Sequence, residues 1–92
     1  MKNLIGRIKT FFEYGKLERD VINHTSSATA LSSYTLADNE LTEALNKVNS
    51  FTRNHALSRQ FSSYETAVYK LRRIIISSRR LISDRHNGDL VA

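Results

Sequence analysis

Residues 62–88 read SSYETAVYKLRRIIISSRRLISDRHNG, and the spacing of their apolar side chains decides the fold class. Tyr64, Val68, Leu71, Ile75, Ser78 and Ile82 alternate steps of four and three, the repeat that keeps one line of side chains facing a neighbouring helix. Ala67, Ile74 and Leu81 are expected to widen that line into a core face. Ser62 and Glu65 form an S-x-x-E capping box at its start. Asn87 and Gly88 are expected to stop the helix, with Arg85 and His86 on the negative end of its dipole.

Upstream, the periodicity loosens between Asn54 and Ser62, and before that a second seam reads Leu41, Ala44, Leu45, Val48, Phe51 and His55. Thr35 with Asp38 resembles a capping arrangement for this helix, and Glu40 and Glu43 are placed near its N-terminus, where the dipole favours them. A third seam carries Tyr14, Leu17, Val21, Ala28 and Leu31, with His24 filling the gap. It is preceded by a separate apolar face of Met1, Leu4, Ile5, Ile8, Phe11 and Phe12, more than a third of a turn away. Gly15 sits at the change of phase, so one long helix kinked there is expected, with a complete break, giving four helices, as the alternative.

Three helices joined by short Ser-rich turns pack antiparallel, and the fold class is therefore all-α: a small up-down-up three-helix bundle with coiled-coil-like seams. One domain is expected over residues 1–88, with a short C-terminal tail at 89–92. The composition agrees. A chain of 92 residues is one domain, and 40% hydrophobic with 25% charged residues is ordinary for a folded protein. Proline is absent and glycine occurs three times, so the usual punctuation of hairpins is missing. Absence of cysteine excludes disulfides and thiolate metal sites and points to a reducing compartment, the cytoplasm. No apolar run approaches the roughly 20 residues of a membrane span.

The net charge of +5 is concentrated at the two ends. Lys2, Arg7, Lys9 and Lys16 against Glu13 leave +3 in the first 16 residues, and Lys70, Arg72, Arg73, Arg79, Arg80 and Arg85 against Glu65 and Asp84 leave +4 in residues 63–88. No nucleophile with its base, glycine-rich phosphate loop or metal cluster at ligand spacing is legible, so a non-enzymatic protein without cofactors is expected. His24, His55 and His86 fall on different helices, His24 and His55 have no carboxylate or cysteine at i+3 or i+4, and the three read as hydrogen-bonded structural residues.

Opposite the core line of the last helix, Tyr69, Arg72, Arg73, Ile76 and Arg80 share one face, with Arg79 beside it. Planar cations interleaved with an aromatic and an isoleucine suit a partner-binding surface. The partner expected is a larger protein or ribonucleoprotein complex, bound by an adaptor, inhibitor or assembly subunit of the kind that phages and mobile elements encode. Nucleic acid on the same face is the rival reading. Leu4, Ile8, Phe11 and Phe12, with Ile5, form the second candidate: core packing in the fold or against another subunit is expected, and a membrane surface is the alternative. The seams neither require nor exclude a homo-oligomer. The terminal Leu90, Val91 and Ala92 resemble the short apolar tails that bacterial unfolding proteases read as degradation signals.

Overall fold

The computed structural model describes the backbone of residues 2–56 and 59–91 and the side chains of residues 5–56 and 61–88. Three α-helices, α1 (Lys2–Ala30), α2 (Tyr34–His55) and α3 (Glu65–Val91), account for almost all of it, with a 3-10 turn at Arg59–Ser63 before α3. The chain is an all-α three-helix bundle, as its periodicity requires. Interhelical partners fix the directions. Glu13 meets His55 while His24 meets Glu40, so α1 and α2 run antiparallel. Arg72 meets Asn49 while Arg79 meets Asp38, so α2 and α3 do too. Tyr14 lies beside Tyr64 and Thr29 beside Arg85, which makes α1 and α3 parallel.

The seams meet as the spacing demands. Leu17, Val21 and Ala28 of α1, Ala37, Leu41, Ala44, Val48 and Phe51 of α2, and Val68, Leu71, Ile75 and Ile82 of α3 form one buried cluster. Leu41, Ile75, Val21 and Val48 are its largest fully buried members. Tyr14, Leu31, Leu45, Phe61 and Tyr64 pack against its edges. The gap in the α1 seam is filled by Thr25 as well as His24; Thr25 is buried and its hydroxyl donates to the Ile22 carbonyl, so no polar atom is stranded. At one end Tyr14, Phe51, His55 and Tyr64 stack within 4.5–6.3 Å of one another. At the other, His86 stacks on Tyr34 at 4.6 Å, and Arg85 donates to the Thr29 carbonyl, one of the last of α1 without a helical partner.

Several boundaries differ from expectation. The helix α1 runs unbroken through Gly15. Ser33, not Thr35, caps α2: its backbone is extended and its hydroxyl accepts from the Leu36 amide, leaving Asp38 free to meet Arg79. Glu40 and Glu43 consequently lie beyond the first turn of α2, where the dipole gives them little. Residues 59–63 close a 3-10 turn, so α3 proper starts at Glu65, and the Tyr64 carbonyl accepts from the Val68 amide. Asn87 and Gly88 do not stop α3, which continues to Val91. Arg85 and His86 are therefore not in its last turn, and they serve the bundle end instead. The side chains of Leu90 and Val91, and Ala92 altogether, lie outside the described residues.

The core is also narrower than expected. Ile74 and Leu81 are exposed, since a two-neighbour contact covers only the line through Val68, Leu71, Ile75 and Ile82. The early α1 face is not packed within the fold: Ile5, Ile8, Phe11 and Phe12 are all exposed, and the side chain of Leu4 lies outside the described ones. Stagger contributes to this. The molecule measures 60 × 17 × 15 Å, whereas α1 alone spans only about 43 Å at 1.5 Å per residue. Since Tyr14 is level with Tyr64, the first dozen residues of α1 project past the start of α3 and the end of α3 projects past α1.

Two outcomes follow. A Cβ added at Gly15 meets nothing within 4 Å, so Gly15→Ala removes the entropic penalty of a mid-helix glycine at no steric cost. It should raise unfolding free energy in urea by about 1 kcal/mol. The Tyr14 phenol is held above its ordinary value, first by burial and then by the neighbouring Glu18 carboxylate. Because the folded value exceeds the unfolded one, the fold loses stability as pH rises through and beyond the ordinary tyrosine value of 10.0. Tyrosinate absorbance should show one late-titrating phenol that Tyr14→Phe removes.

Candidate functional site

The outer face of α3 is built from side chains that the core line leaves over. One turn of α3 places Ile74, Ile75 and Ile76 in three environments: Ile75 is 1% exposed, Ile74 41% and Ile76 65%. Around Ile76 stand Tyr69, Arg72, Arg73, Ser77, Arg80, Leu81 and Asp84, which border a shallow depression walled by α3 alone. Arg73 donates to the Tyr69 hydroxyl at 3.2 Å, and its guanidinium lies 5.8 Å from the centre of that ring. The pair is partly preorganised as a flat, cationic and aromatic plate.

Two of the expected arginines turn elsewhere. Arg72 donates to Asn49 Oδ1 at 2.6 Å and to Thr52 Oγ1 at 3.2 Å, both on α2. Arg79 forms an ion pair with Asp38 at 3.1 Å and donates to Thr42 Oγ1 at 3.2 Å. Helical rotation explains it: the two positions flank the core line on the side of α2, whereas Tyr69, Arg73, Ile76 and Arg80 lie further round. Arg72 and Arg79 thus fasten α3 to α2, Arg72 while also bordering the depression, and the side chains turned fully outward are Tyr69, Arg73, Ile76 and Arg80, joined by Leu81. The exposure of Leu81 was hidden in the sequence because it was read as core.

The histidines gain carboxylate partners that i+3 and i+4 spacing does not reveal, because those partners stand on the adjacent helix. His55 pairs with Glu13, which also lies 4.0 Å from Lys9. His24 Nδ1 is 2.6 Å from Glu40 and 3.9 Å from Glu43, and its Nε2 is 2.9 Å from the Lys47 ammonium. Ligand atoms of His24, Glu40 and Glu43 fall within 4.8 Å of one another, close enough for one cation. The surroundings do not fit that use. An ammonium only donates, so Nε2 accepts from Lys47 and the ring proton sits on Nδ1, given to Glu40. A metal on Nδ1 would drive that proton to Nε2, donor against donor. With Lys47 also 3.6 Å from Asp20, the cluster is a continuous chain of polar contacts that ties α1 to α2.

The second candidate face, on α1, presents Ile5, Ile8, Phe11 and Phe12 on the side away from the core, with Phe11 and Phe12 64% and 67% exposed and edge to face at 5.9 Å. No described helix is long and apolar enough to cross a membrane.

The division of the arginines is open to measurement. Arg72→Ala should lower unfolding free energy by about 1.5 kcal/mol by stranding Asn49 and losing charge-assisted bonds, while Arg73→Ala changes it by under about 0.5 kcal/mol. Urea titration of both variants checks this. No family model, curated protein or solved structure matches the chain.

Proposed function

We propose that this chain is a non-enzymatic interaction protein that docks on an acidic protein surface through the outer face of α3. The observation that carries the reading is the exposure of Ile76, 65% open to solvent, with the Tyr69–Arg73 pair before it along α3 and Arg80 one turn after it. Water is a poor environment for that side chain, and covering it with a partner recovers apolar burial that the bundle forgoes. Tyrosine and arginine around an apolar centre are the composition of a protein contact whose energy is concentrated in a few residues. An adaptor, an assembly subunit or an inhibitor of a larger complex, such as phages and mobile elements encode, would use a surface of this kind.

The nucleic-acid reading is weakened by the same geometry. A phosphate-binding face gains affinity from each free cation. Here Arg72 and Arg79 are engaged by α2, and of the two arginines that remain Arg80 has Asp84 one turn away on the same face. Apolar and aromatic groups therefore outweigh charge on the outward strip.

Capture from a host lysate, with and without nuclease, tests the reading when wild type is compared with two double variants. Retention that survives nuclease and raised salt, and is lost in Tyr69→Ala with Ile76→Ala, is the expected result. Retention that nuclease abolishes, or that falls steeply with salt and fails chiefly in Arg73→Ala with Arg80→Ala, would overturn it in favour of nucleic acid.

A further inference from the structure

We infer that the projecting N-terminal part of α1 is a second, separate binding surface, and that it lies on anionic lipid bilayers. Ile5, Ile8, Phe11 and Phe12 are exposed although four large apolar side chains in so short a chain are a substantial part of what could have been core. Their strip lies on the side of α1 opposite Leu17, Val21 and Ala28, whose seam faces α2 and α3. Among the described residues the strip therefore faces away from α2 and α3. Ile22, also exposed, continues the line of Phe11 about three turns on. The surface is a convex ridge, which suits a deformable interface better than it suits the pocket of a folded partner.

Charge selects the occupant. Arg7, Lys9, Lys16 and Arg19 are exposed on this half of α1. Of the acids there, Glu13 is engaged by His55 and Lys9, and Glu18, exposed between Phe11 and Ile22 along the helix and bonded to the Tyr14 phenol, leaves the cations in excess. A second copy of the chain would bring a matching set of cations against these, so self-association is opposed by like charge. An anionic lipid surface supplies the opposite sign together with an apolar layer for Phe11 and Phe12. Both signals are needed, since a short apolar strip alone or a few cations alone hold a protein only weakly at a bilayer. The helix would lie in the interfacial plane, and the outer strip of α3, on another side of the bundle, would stay free for its own partner.

Flotation of the full chain with vesicles tests this, using phosphatidylcholine alone and phosphatidylcholine mixed with phosphatidylglycerol. Flotation with the mixed vesicles only, weakened by salt, is expected. It should fall at least about tenfold in Phe11→Ala with Phe12→Ala, which leaves charge unchanged, and fall likewise in Lys9→Gln with Lys16→Gln. Circular dichroism should report retained helix in both, because these side chains are exposed. Tyr69→Ala with Ile76→Ala should float as wild type does, which separates this surface from the α3 strip. Absence of flotation, or flotation indifferent to the Phe11 and Phe12 changes, would overturn the inference. So would a concentration-dependent dimer in light scattering that those changes abolish.

Discussion

Each helix of this bundle offers a line of apolar side chains only wide enough to be covered by its two neighbours, and that contact decides what else the surface must do. Val21, Leu41, Val48 and Ile75 sit at its centre with essentially no exposure. With a cross-section of 17 × 15 Å there is one layer of core and no second shell behind it. A side chain one step off the line, such as Ile74 or Ile76, is already in solvent. Apolar surface in excess of the seam therefore has no place inside. It stays outward on α1 and α3, and those excess faces are where function is read.

A narrow apolar line does not by itself fix register, since four-three repeats can slide by a turn. Polar cross-links at defined levels supply what the core lacks. Glu13 with His55 and His24 with Glu40 set α1 against α2, and Arg72 with Asn49 and Arg79 with Asp38 set α2 against α3. Arg85 on the Thr29 carbonyl sets α3 against the end of α1. Individually such half-exposed contacts contribute little. Collectively they penalise every slipped alignment, because a one-turn shift would strand all of them together.

How much of this was legible in the residues varies with the range of the interaction. The α2 seam and the line through Val68, Leu71, Ile75 and Ile82 were plain, because helical period is a local property. The Ser33 cap was missed in favour of Thr35, since a cap is chosen by how the preceding turn closes, and several Ser and Thr residues compete there. Asn87 and Gly88 were read as a stop, yet glycine ends a helix only where the chain turns, and nothing here turns it. The outward strip was legible in outline through Tyr69, Arg73, Ile76 and Arg80. That Arg72 and Arg79 also reach across to α2 was not, because long side chains on a flank bend toward whatever acceptors the next helix offers, here Asn49, Thr52, Asp38 and Thr42. Pairing of His24 with Glu40 and His55 with Glu13 depends on the antiparallel register and was beyond any spacing rule.

The account stands on the outward direction of the strip centred on Ile76 beside a core centred on Ile75. Replacing each in turn by aspartate and measuring urea unfolding tests it most directly. Ile75→Asp should abolish cooperative folding by burying a charge without a partner. Ile76→Asp should leave the transition within about 0.5 kcal/mol of wild type. Equal damage from both substitutions would contradict the account, because it would mean that Ile76 is enclosed.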